Sequence, residues 1–319
     1  MTGVALLGCG RAGRVHIQAW IDQRTDMELI CICDPHVDNA EELARMMEDA
    51  GWLRPAVHSD PRQVLKDPRV EAVILCTPTS THEALVSEAL CQNKHVLCEK
   101  PLVQAGPNAL ARLETLYDTA AKHRRVLMTA YNRRHDPEWS RFRSEIAKDG
   151  GVPFALQIVC RDHPVPSEAY LSSCGSMFRD CGCHDLDMVL VTLRDHPVKV
   201  DAISGPQDTM TLISLQMSRG TQVTLTHSRY APYYDQRAEA FLSDGQHVSL
   251  VNPCEEPGIQ FQERYRASYA AQLGEFCTIV EQANRFKEAI LLPPLSNALA
   301  LERVLQACEE SVVSQLNKM

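Results

Sequence analysis

Val4-Ala5-Leu6-Leu7-Gly8-Cys9-Gly10-Arg11-Ala12-Gly13 is the stretch of sequence that decides the fold of this chain. Its four apolar residues predict a short buried strand, and three glycines with the spacing G-x-G-x-x-G follow directly. In that pattern Gly8 permits a tight turn, Gly10 lets the backbone approach a pyrophosphate, and Gly13 allows close packing of a helix on the strand. The amide groups at the start of that helix then face the phosphates. The stretch therefore predicts a dinucleotide site at the start of a doubly wound domain.

Short apolar strands alternate with amphipathic helices through the first 123 residues. The predicted strands are Val4–Leu7, Leu29–Cys33, Ala72–Cys76 and His95–Cys98, and the predicted helices are Ala12–Gln23, Asp38–Glu48, Thr81–Gln92 and Gln104–His123. This alternation predicts a parallel sheet with helices on both faces. The predicted fold class is thus α/β, with a Rossmann domain over residues 1–122.

The pattern changes after residue 123, where the strands acquire a period of two. The predicted elements are a strand over Val126–Tyr131, a helix over Pro137–Lys148, strands over Thr211–Met217 and Thr221–His227, a hairpin of Ala238–Leu242 with His247–Leu250, and helices over Ser268–Phe286 and Ser296–Gln315. Such strands have one apolar and one polar face, as in antiparallel sheets. Residues 123–319 are therefore predicted to form an α+β domain with a large, mostly antiparallel sheet.

Composition excludes several classes of protein. A length of 319 residues favours two domains, and a net charge of −9 with dispersed Lys and Arg argues against a nucleic-acid surface. No apolar run is long enough to span a membrane, and the chain enters its first strand at once, so neither a membrane anchor nor a signal peptide is expected. The 13 cysteines are scattered through predicted strands and helices, which predicts buried free thiols in a reducing cytoplasm. Cys174, Cys181, Cys183 and His184 lack the spacing of a zinc site, so no metal is expected.

The choice of cofactor depends on Asp34, which ends the second predicted strand. An acidic side chain at this point accepts hydrogen bonds from the ribose hydroxyls and repels a 2′-phosphate, so NAD is favoured over NADP. Arg11 and Arg14 keep NADP open as an alternative. A second cofactor contact is predicted from the loop that begins Thr77-Pro78 and runs to His82. Capping of the next helix by its Ser and Thr residues is the structural alternative.

Lys100, in the run Glu99-Lys100-Pro101, follows the predicted strand His95–Cys98. A lysine at the carboxyl end of a strand of the nucleotide domain lies where ligands bind in such sheets. Pro101 restricts the backbone around it, and Glu99 is placed to pair with the ammonium group. The structural alternative is an ordinary exposed loop lysine.

Asp180 and His184 form a second candidate pair, immediately before an apolar helical stripe. If a helix begins near Asp180, the two side chains are four residues apart and share one face. A carboxylate that orients a histidine is a usual arrangement for a general base near neutral pH. A helix cap at Asp180 and a partly buried structural histidine are the alternatives.

Taken together, these motifs resemble the glucose–fructose oxidoreductase/inositol dehydrogenase/MocA family. The resemblance covers essentially the whole chain. Three further segments resemble the inositol 2-dehydrogenase branch of that family. They are Tyr131-Asn132-Arg133-Arg134-His135-Asp136-Pro137, Ser176-Met177-Phe178-Arg179-Asp180 and Tyr234-Asp235-Gln236-Arg237.

This resemblance implies an enzyme that oxidises a secondary alcohol, with hydride passing to the nicotinamide of NAD. In that scheme His184 removes the hydroxyl proton, Asp180 orients His184, and Lys100 polarises the substrate oxygen. The implied cofactor contacts are Gly8, Gly10, Arg11, Ala12, Gly13, Asp34, Thr77, Pro78, His82, Glu99 and Lys100. Besides Lys100, Asp180 and His184, the implied substrate contacts are Arg161, Asp162, Tyr170 and Tyr234.

Two departures from the branch leave the substrate open. The branch usually carries Gly where this chain has Ser176 and Tyr233, and both replacements add bulk near the expected substrate cavity. The prediction is therefore NAD-dependent oxidation of a cyclitol or sugar-like polyol, by a homodimer or homotetramer. The rival predictions are a dehydrogenase of another carbohydrate or of a dihydrodiol, and a catalytically silent NAD-binding sensor or scaffold.

Overall fold

The computed structural model describes residues 2–23, 25–148, 152–171, 174–243, 245–251 and 261–316. The strands in this part of the chain are β1 (Gly3–Leu7), β2 (Glu28–Cys33), β3 (Ala56–His58), β4 (Val70–Leu75), β5 (His95–Cys98), β6 (Leu127–Thr129), β7 (Ala155–Arg161), β8 (Pro197–Ser204), β9 (Met210–Met217), β10 (Gln222–Ser228), β11 (Asp235–Phe241), β12 (His247–Val251) and β13 (Leu291–Leu292). The α-helices are α1 (Arg11–Asp22), α2 (Val37–Asp49), α3 (Pro61–Lys66), α4 (Thr79–Cys91), α5 (Ala109–His123), α6 (Pro137–Ala147), α7 (Glu168–Leu171), α8 (Cys183–Leu193), α9 (Phe261–Arg264), α10 (Arg266–Phe286) and α11 (Leu295–Leu316). Among these described residues, no helix is long and apolar enough to cross a membrane.

The chain divides into two compact units. The first contains Met1–Asn132 and Arg266–Ala298, and the second contains Arg133–Tyr265 and Leu299–Met319. This division differs from the predicted boundary between residues 122 and 123. Strand β6 extends the first sheet beside β5, and α10 and β13 return to the first unit after the chain has passed through the second.

The first unit contains a parallel sheet of seven strands in the order β13-β6-β5-β4-β1-β2-β3. The strand order reverses at β1, with β4 on one side and β2 on the other, so β1 and β4 flank the switch point of a doubly wound sheet. The predicted Rossmann fold is confirmed. All five residues of β1 are buried, as expected for a strand covered on both faces.

The core of the first unit joins sequence segments that are far apart. Residues of α10, including Leu273, Phe276 and Val280, share one apolar cluster with Ile17 and Trp20 of α1. A Cβ atom at Gly274 of α10 would lie 2.9 Å from the side-chain amide nitrogen of Gln23, the residue that follows α1. Helix α10, predicted over Ser268–Phe286, therefore belongs to the nucleotide-binding unit.

Helix α5 begins five residues later than predicted, at Ala109 rather than Gln104. Asn108 immediately before it has a φ of 60°, a left-handed conformation that a continuing helix excludes. The run Gly106-Pro107 precedes Asn108, and both residue types disfavour helix interiors. Residues 105–108 therefore form a bend and a turn before the helix.

The second unit contains a six-stranded sheet in the order β12-β11-β7-β10-β9-β8. Neighbouring strands are antiparallel except for the central pair β7 and β10, so the prediction of a mostly antiparallel sheet is confirmed. The period of two is confirmed as well. Val223 and Leu225 are buried, whereas Gln222 and Thr224 between and beside them are exposed.

Candidate functional site

The glycine loop has the geometry that the sequence pattern predicts. Gly8 has a φ of 96°, and a Cβ atom there would lie 2.6 Å from the carbonyl group of Cys76. A Cβ atom on Gly13 would lie 2.1 Å from the carbonyl oxygen of Gly8. At Gly10, by contrast, a Cβ atom would meet no described atom within 4 Å. Two glycines therefore allow close packing of the protein itself, and Gly10 borders open space at the start of α1, where a pyrophosphate fits.

Asp34 is buried at the end of β2, where its carboxylate binds the glycine loop. One oxygen accepts a hydrogen bond from the backbone N–H of Cys9, and the other accepts one from the N–H of His36, both at 2.8 Å. Each carboxylate oxygen has a further lone pair for a ligand hydroxyl. The position predicted from sequence thus also supports the shape of the loop.

The loop after β4 carries the predicted contacts Thr77 and Pro78. Helix α4 begins at Thr79 without a side-chain cap, and the Thr81 hydroxyl bonds back to the carbonyl of Pro78 at 2.7 Å. The alternative that Ser80 or Thr81 caps this helix is therefore wrong, since both residues lie inside it. The ring of His82 is buried and contacts the carbonyl oxygens of Thr77 and Pro101. A direct contact of His82 with a cofactor stays a prediction.

Lys100 lies just beyond the end of β5 and is half-buried, and its peptide bond to Pro101 is cis. The neighbouring Glu99 is held by His16 of α1, whose Nε2 lies 2.8 Å from Glu99 Oε1. Burial alone raises the pKa of Glu99, but the bond from His16 and the charges of Lys100 and His82 hold it below its usual range. Glu99 therefore carries a negative charge beside the lysine.

His16 is a contact that sequence reasoning missed. The ring is almost fully buried, packs edge-on against Tyr269 at 5.5 Å, and its Nδ1 has no hydrogen-bond partner in the described part of the chain. Because Glu99 is ionised and accepts the bond, the proton lies on Nε2. No local signal in the sequence connects His16 with a residue 83 positions later.

In the second unit, Asp180 lies in a π-helical turn, Phe178–Gly182, that leads directly into α8. The helical start predicted near Asp180 is confirmed, and the capping alternative is not, because Asp180 lies inside the turn. Its carboxylate accepts a hydrogen bond from the Tyr170 hydroxyl at 2.7 Å and pairs with Arg229 at 2.9 Å. That Asp180 orients His184, which follows on the first turn of α8, stays a prediction.

Arg229 is the second residue that the sequence reasoning missed. Its side chain is only 3% exposed, and its guanidinium contacts Asp180 and the Cys174 sulfur. A buried carboxylate requires such a partner to remain ionised. Arg229 lies 49 positions from Asp180, just beyond the end of β10. Its pairing with Asp180 depends on where β10 lies in the sheet, which no local sequence pattern gives.

The other predicted substrate contacts in this unit differ in environment. Arg161 at the end of β7 is half-exposed and pairs with Asp235 at 2.5 Å. Asp162 accepts a bond from the backbone of His163 at 3.1 Å. Tyr234 is buried, and its hydroxyl lies 3.5 Å from that of Tyr265. Of these predicted residues, the structure brings Tyr170 and Asp180 into direct contact.

Asp185, the residue after His184, lies in a fully buried polar network. Gln236, Cys160, His227 and Thr211 form one row across β11, β7, β10 and β9. Asp185 accepts hydrogen bonds from Gln236 and His227 and pairs with Arg133. Burial raises the pKa of Asp185, but Arg133 and the two hydrogen bonds hold it below its usual range. This carboxylate therefore fixes α8 onto the sheet.

Ser176, one of the two departures from the inositol branch, is engaged by the protein itself. Its hydroxyl donates to Glu309 of α11 at 2.7 Å, and Glu309 also pairs with Arg179. The added hydroxyl thus has a partner in the second unit.

The prediction of buried free thiols is confirmed for six cysteines. Cys31, Cys33, Cys76, Cys98, Cys160 and Cys277 are all buried and free. Burial raises the pKa of Cys31 and Cys33 to about 12, which makes these thiols unreactive. In the residues that the structure describes, no three His, Cys, Asp or Glu side chains are grouped to hold a metal ion.

A doubly wound sheet, a glycine loop open at Gly10 and an acidic residue at the end of β2 define a dinucleotide-binding protein. Comparison with known proteins gives the family. Residues 2–131 match the oxidoreductase family with an NAD-binding Rossmann fold, and residues 130–248 match the GFO/IDH/MocA C-terminal domain. The chain belongs to the GFO/IDH/MocA oxidoreductase family.

Individual relatives point to one branch. The chain is 30% identical to an inositol 2-dehydrogenase of Rhizobium meliloti (strain 1021), over 97% of this chain and 96% of that protein. It is 32% identical to a myo-inositol 2-dehydrogenase of Thermotoga maritima, over 86% of each. A crystal structure of a myo-inositol dehydrogenase from Corynebacterium glutamicum ATCC 13032 matches with a TM-score of 0.81 and 26% identity, over 99% of this chain and 97% of that one. The predicted family, its inositol dehydrogenase branch and the NAD-dependent oxidoreductase class are confirmed.

Proposed function

We propose that this protein is an NAD-dependent dehydrogenase that oxidises a secondary hydroxyl of a cyclitol or a sugar-like polyol. The observation that carries the proposal is the 30% identity to an inositol 2-dehydrogenase along 97% of the chain. The chain also retains the residues that the chemistry needs, Lys100, Asp180 and His184. Oxidation of a secondary alcohol requires a base, a group that polarises the oxygen and a hydride acceptor.

Each of the three residues has one role in the proposal. His184 takes the proton of the substrate hydroxyl, and Lys100 donates a hydrogen bond to the same oxygen. Asp180 orients His184, while Tyr170 and Arg229 hold the Asp180 carboxylate in place. When bound, NAD supplies a nicotinamide ring that accepts the hydride.

The proposed cofactor contacts follow from the loops around β1 and β4. The backbone around Gly10 and the first turn of α1, with Arg11, Ala12 and Gly13, receives the pyrophosphate. Asp34 receives the ribose hydroxyls and disfavours a 2′-phosphate. The segments Thr77–Pro78 and Glu99–Lys100 contact the nicotinamide side. Two observations support these assignments. Gly10 borders open space, and the buried carboxylate of Asp34 accepts two backbone hydrogen bonds that fix its position.

Substrate recognition is proposed for Arg161, Asp162, Tyr170 and Tyr234, besides the three catalytic residues. Charged and hydroxyl-bearing side chains suit a ligand with many hydroxyl groups. Ser176 and Tyr233 distinguish this chain from the usual branch pattern, so the proposal extends to cyclitols other than myo-inositol and to sugars.

We further propose a cytoplasmic homo-oligomer, a dimer or tetramer, that pairs through the second unit's sheet. Ile203 of β8 and Leu212 of β9 are register partners and both are exposed, at 53% and 40%. The same row continues across the sheet. Leu212 is the register partner of Thr226 in β10, and Thr226 is the register partner of the half-buried Val159 in β7. This row is apolar enough to favour a second copy of the sheet.

The decisive experiment is a substrate screen that follows NADH formation by absorbance. The purified protein is assayed with NAD and, in turn, inositol isomers, glucose, xylose and dihydrodiols. Turnover of a cyclitol or sugar supports the proposal, and turnover of a dihydrodiol only would replace its substrate class. Measurable NAD binding without turnover of any of them would favour the sensor or scaffold.

A further inference from the structure

The ring of His82 in α4 lies between two backbone carbonyl groups. The ring is 1% exposed. Its Nδ1 lies 2.7 Å from the carbonyl oxygen of Pro101, and its Nε2 lies 2.8 Å from the carbonyl oxygen of Thr77. Both distances are those of good hydrogen bonds.

A backbone carbonyl oxygen accepts hydrogen bonds and has no proton to donate. A neutral imidazole carries one N–H and one bare nitrogen, so it satisfies one of these contacts and faces the other carbonyl with a lone pair. Only the imidazolium, which has two N–H groups, donates to both. Both carbonyl contacts are therefore satisfied only when the ring carries both protons.

His95 of the same unit provides the opposite case. It is equally buried, but its Nδ1 accepts a bond from the backbone N–H of Val126 at 3.0 Å, so that nitrogen carries no proton. Its Nε2 faces the side-chain oxygen of Asn284 at 3.0 Å. Burial and the charge of Arg125 lower the pKa of His95 to about 4 despite this bond.

The carboxylate of Glu99 interacts electrostatically with His82. Glu99, one residue before Lys100, is ionised, and the positive charges of His82 and Lys100 both contribute to the lowering of its pKa. His16 donates to the same carboxylate from α1, and Tyr269 of α10 lies against His16. Glu83, the next residue of α4 after His82, pairs with Arg112 of α5 at 2.9 Å.

We infer that His82 is a buried imidazolium that joins the Thr77–Pro78 loop to the Lys100–Pro101 loop and positions Lys100. One of its bonds reaches the loop proposed to contact the cofactor, and the other reaches the residue that follows the proposed catalytic lysine. Loss of either N–H releases one loop from the other. His82 acts through Lys100 and is a positioning residue, and this part of the inference rests on the proposed function.

The protonation state is tested by nitrogen NMR of the full-length protein, with and without NAD. The protein is labelled with ¹⁵N-histidine, and its 12 histidines are resolved by long-range ¹H–¹⁵N correlation near neutral pH. His82→Gln, or His82→Asn if the first variant does not fold, assigns the signals. We expect both ring nitrogens of His82 at protonated positions and one bare nitrogen for His95. A bare nitrogen at His82 overturns the inference.

The positioning role is tested by hydrogen exchange and by activity, with His95→Gln as the matched control. We expect His82→Gln to speed amide exchange in residues 99–104 at least about tenfold, an effect absent from the control. With a substrate from the screen, kcat falls about 10- to 100-fold while KM for NAD changes little. Unchanged exchange overturns the positioning role even if no substrate is found. Faster exchange with unchanged kcat shows that the bridge does not serve Lys100.

Discussion

At the scale of single residues, Lys100 carries the sharpest prediction about chemistry. Its ammonium group is proposed to stabilise charge on the substrate oxygen in the transition state, whereas the glycine loop and Asp34 are proposed to hold most of the NAD. We therefore expect Lys100→Met to lower kcat by orders of magnitude and to leave NAD binding within about threefold. Steady-state kinetics and NAD titration by fluorescence measure the two effects.

Lys94 serves as a control for that substitution, because it is a lysine with a structural role. It is buried, and its Nζ donates to the carbonyls of Asp67 at 2.9 Å and Val70 at 2.7 Å. Lys94→Met is expected to reduce the free energy of unfolding, with kcat nearly intact below the melting temperature. Turnover retained by Lys100→Met contradicts the role of Lys100.

Asp34 carries a prediction about cofactor choice. Removal of its carboxylate takes away the repulsion of a 2′-phosphate, so Asp34→Ala should narrow the preference for NAD over NADP. Because the same carboxylate holds the N–H groups of Cys9 and His36, affinity for both cofactors falls as well. The ratio of kcat/KM for the two cofactors is therefore the quantity to measure. An unchanged ratio shows that Asp34 only supports the loop.

At the scale of elements, the same substitution is expected to have different effects at two glycines of one loop: Gly10→Ala lowers NAD affinity, whereas Gly13→Ala lowers stability. Gly10→Ala adds a methyl group in open space at a φ of −73°, so the fold is expected to keep its stability while NAD affinity drops about tenfold or more. Gly13→Ala places its methyl group against the carbonyl of Gly8, and we expect a loss of about 1–3 kcal/mol in unfolding free energy.

Thermal denaturation with and without NAD separates these two effects. NAD at about 100 times Kd stabilises the native protein by about 2.7 kcal/mol, and a tenfold loss of affinity in Gly10→Ala removes about half of this gain. A Gly10→Ala variant with an undiminished NAD-dependent shift contradicts the pyrophosphate assignment.

Strand β5 carries a pH dependence through His95. Its pKa is lowered from 6.5 to about 4 in the folded state, so the unfolded chain takes up a proton first as the pH falls. The contribution of the neutral ring to stability is present above pH 6.5 and is lost between 6.5 and 4, by up to ~3 kcal/mol. Urea denaturation across this range should show a shallower loss in His95→Gln. Parallel curves contradict the prediction.

Local sequence patterns were sufficient for the elements that surround the cofactor site. The apolar run before Gly8 predicted β1, and His95–Cys98 was predicted with its observed bounds. Strand β7 was missed although Leu156, Ile158 and Cys160 are buried in alternation along it. The parallel pairing of β7 with β10 depends on the order of strands in the whole sheet, so the sequence of either strand alone does not predict it.

The same limit applies to the candidate sites. Lys100, Asp180 and His184 were recognisable because each lies in a short motif at the end of an element. Their supporting partners were not, since His16 and Arg229 are separated from the groups they hold by 83 and 49 positions. Only the folded chain brings such partners together, through sheet order and helix packing.

At the scale of the whole molecule, the exposed row of the second sheet predicts how copies assemble. Leu212→Glu puts a charge in the centre of that row, opposite Ile203. We expect the oligomer to dissociate to monomers, because burying an unpaired carboxylate in an interface costs several kcal/mol. Light scattering coupled to size exclusion measures the mass.

Gln216→Glu is the matched control for this substitution. Gln216 lies on the same strand and the same face as Leu212, four residues further along, and is already exposed and polar. The control is expected to keep the oligomeric mass. Equal masses for the native protein and both variants mean that the sheet face is not the interface.

Because α10 and β13 belong to the first unit, the core of that unit cannot be completed until late in translation. Residues 1–132 leave the ribosome while Leu273, Phe276 and Val280, which complete their apolar core, are still untranslated. The nascent nucleotide-binding unit therefore exposes the surface of α1 that α10 later covers, until more than 130 further residues have emerged. During that interval all strands of the second sheet, β7 to β12, are translated, so this sheet can form before the apolar core of the first unit is complete.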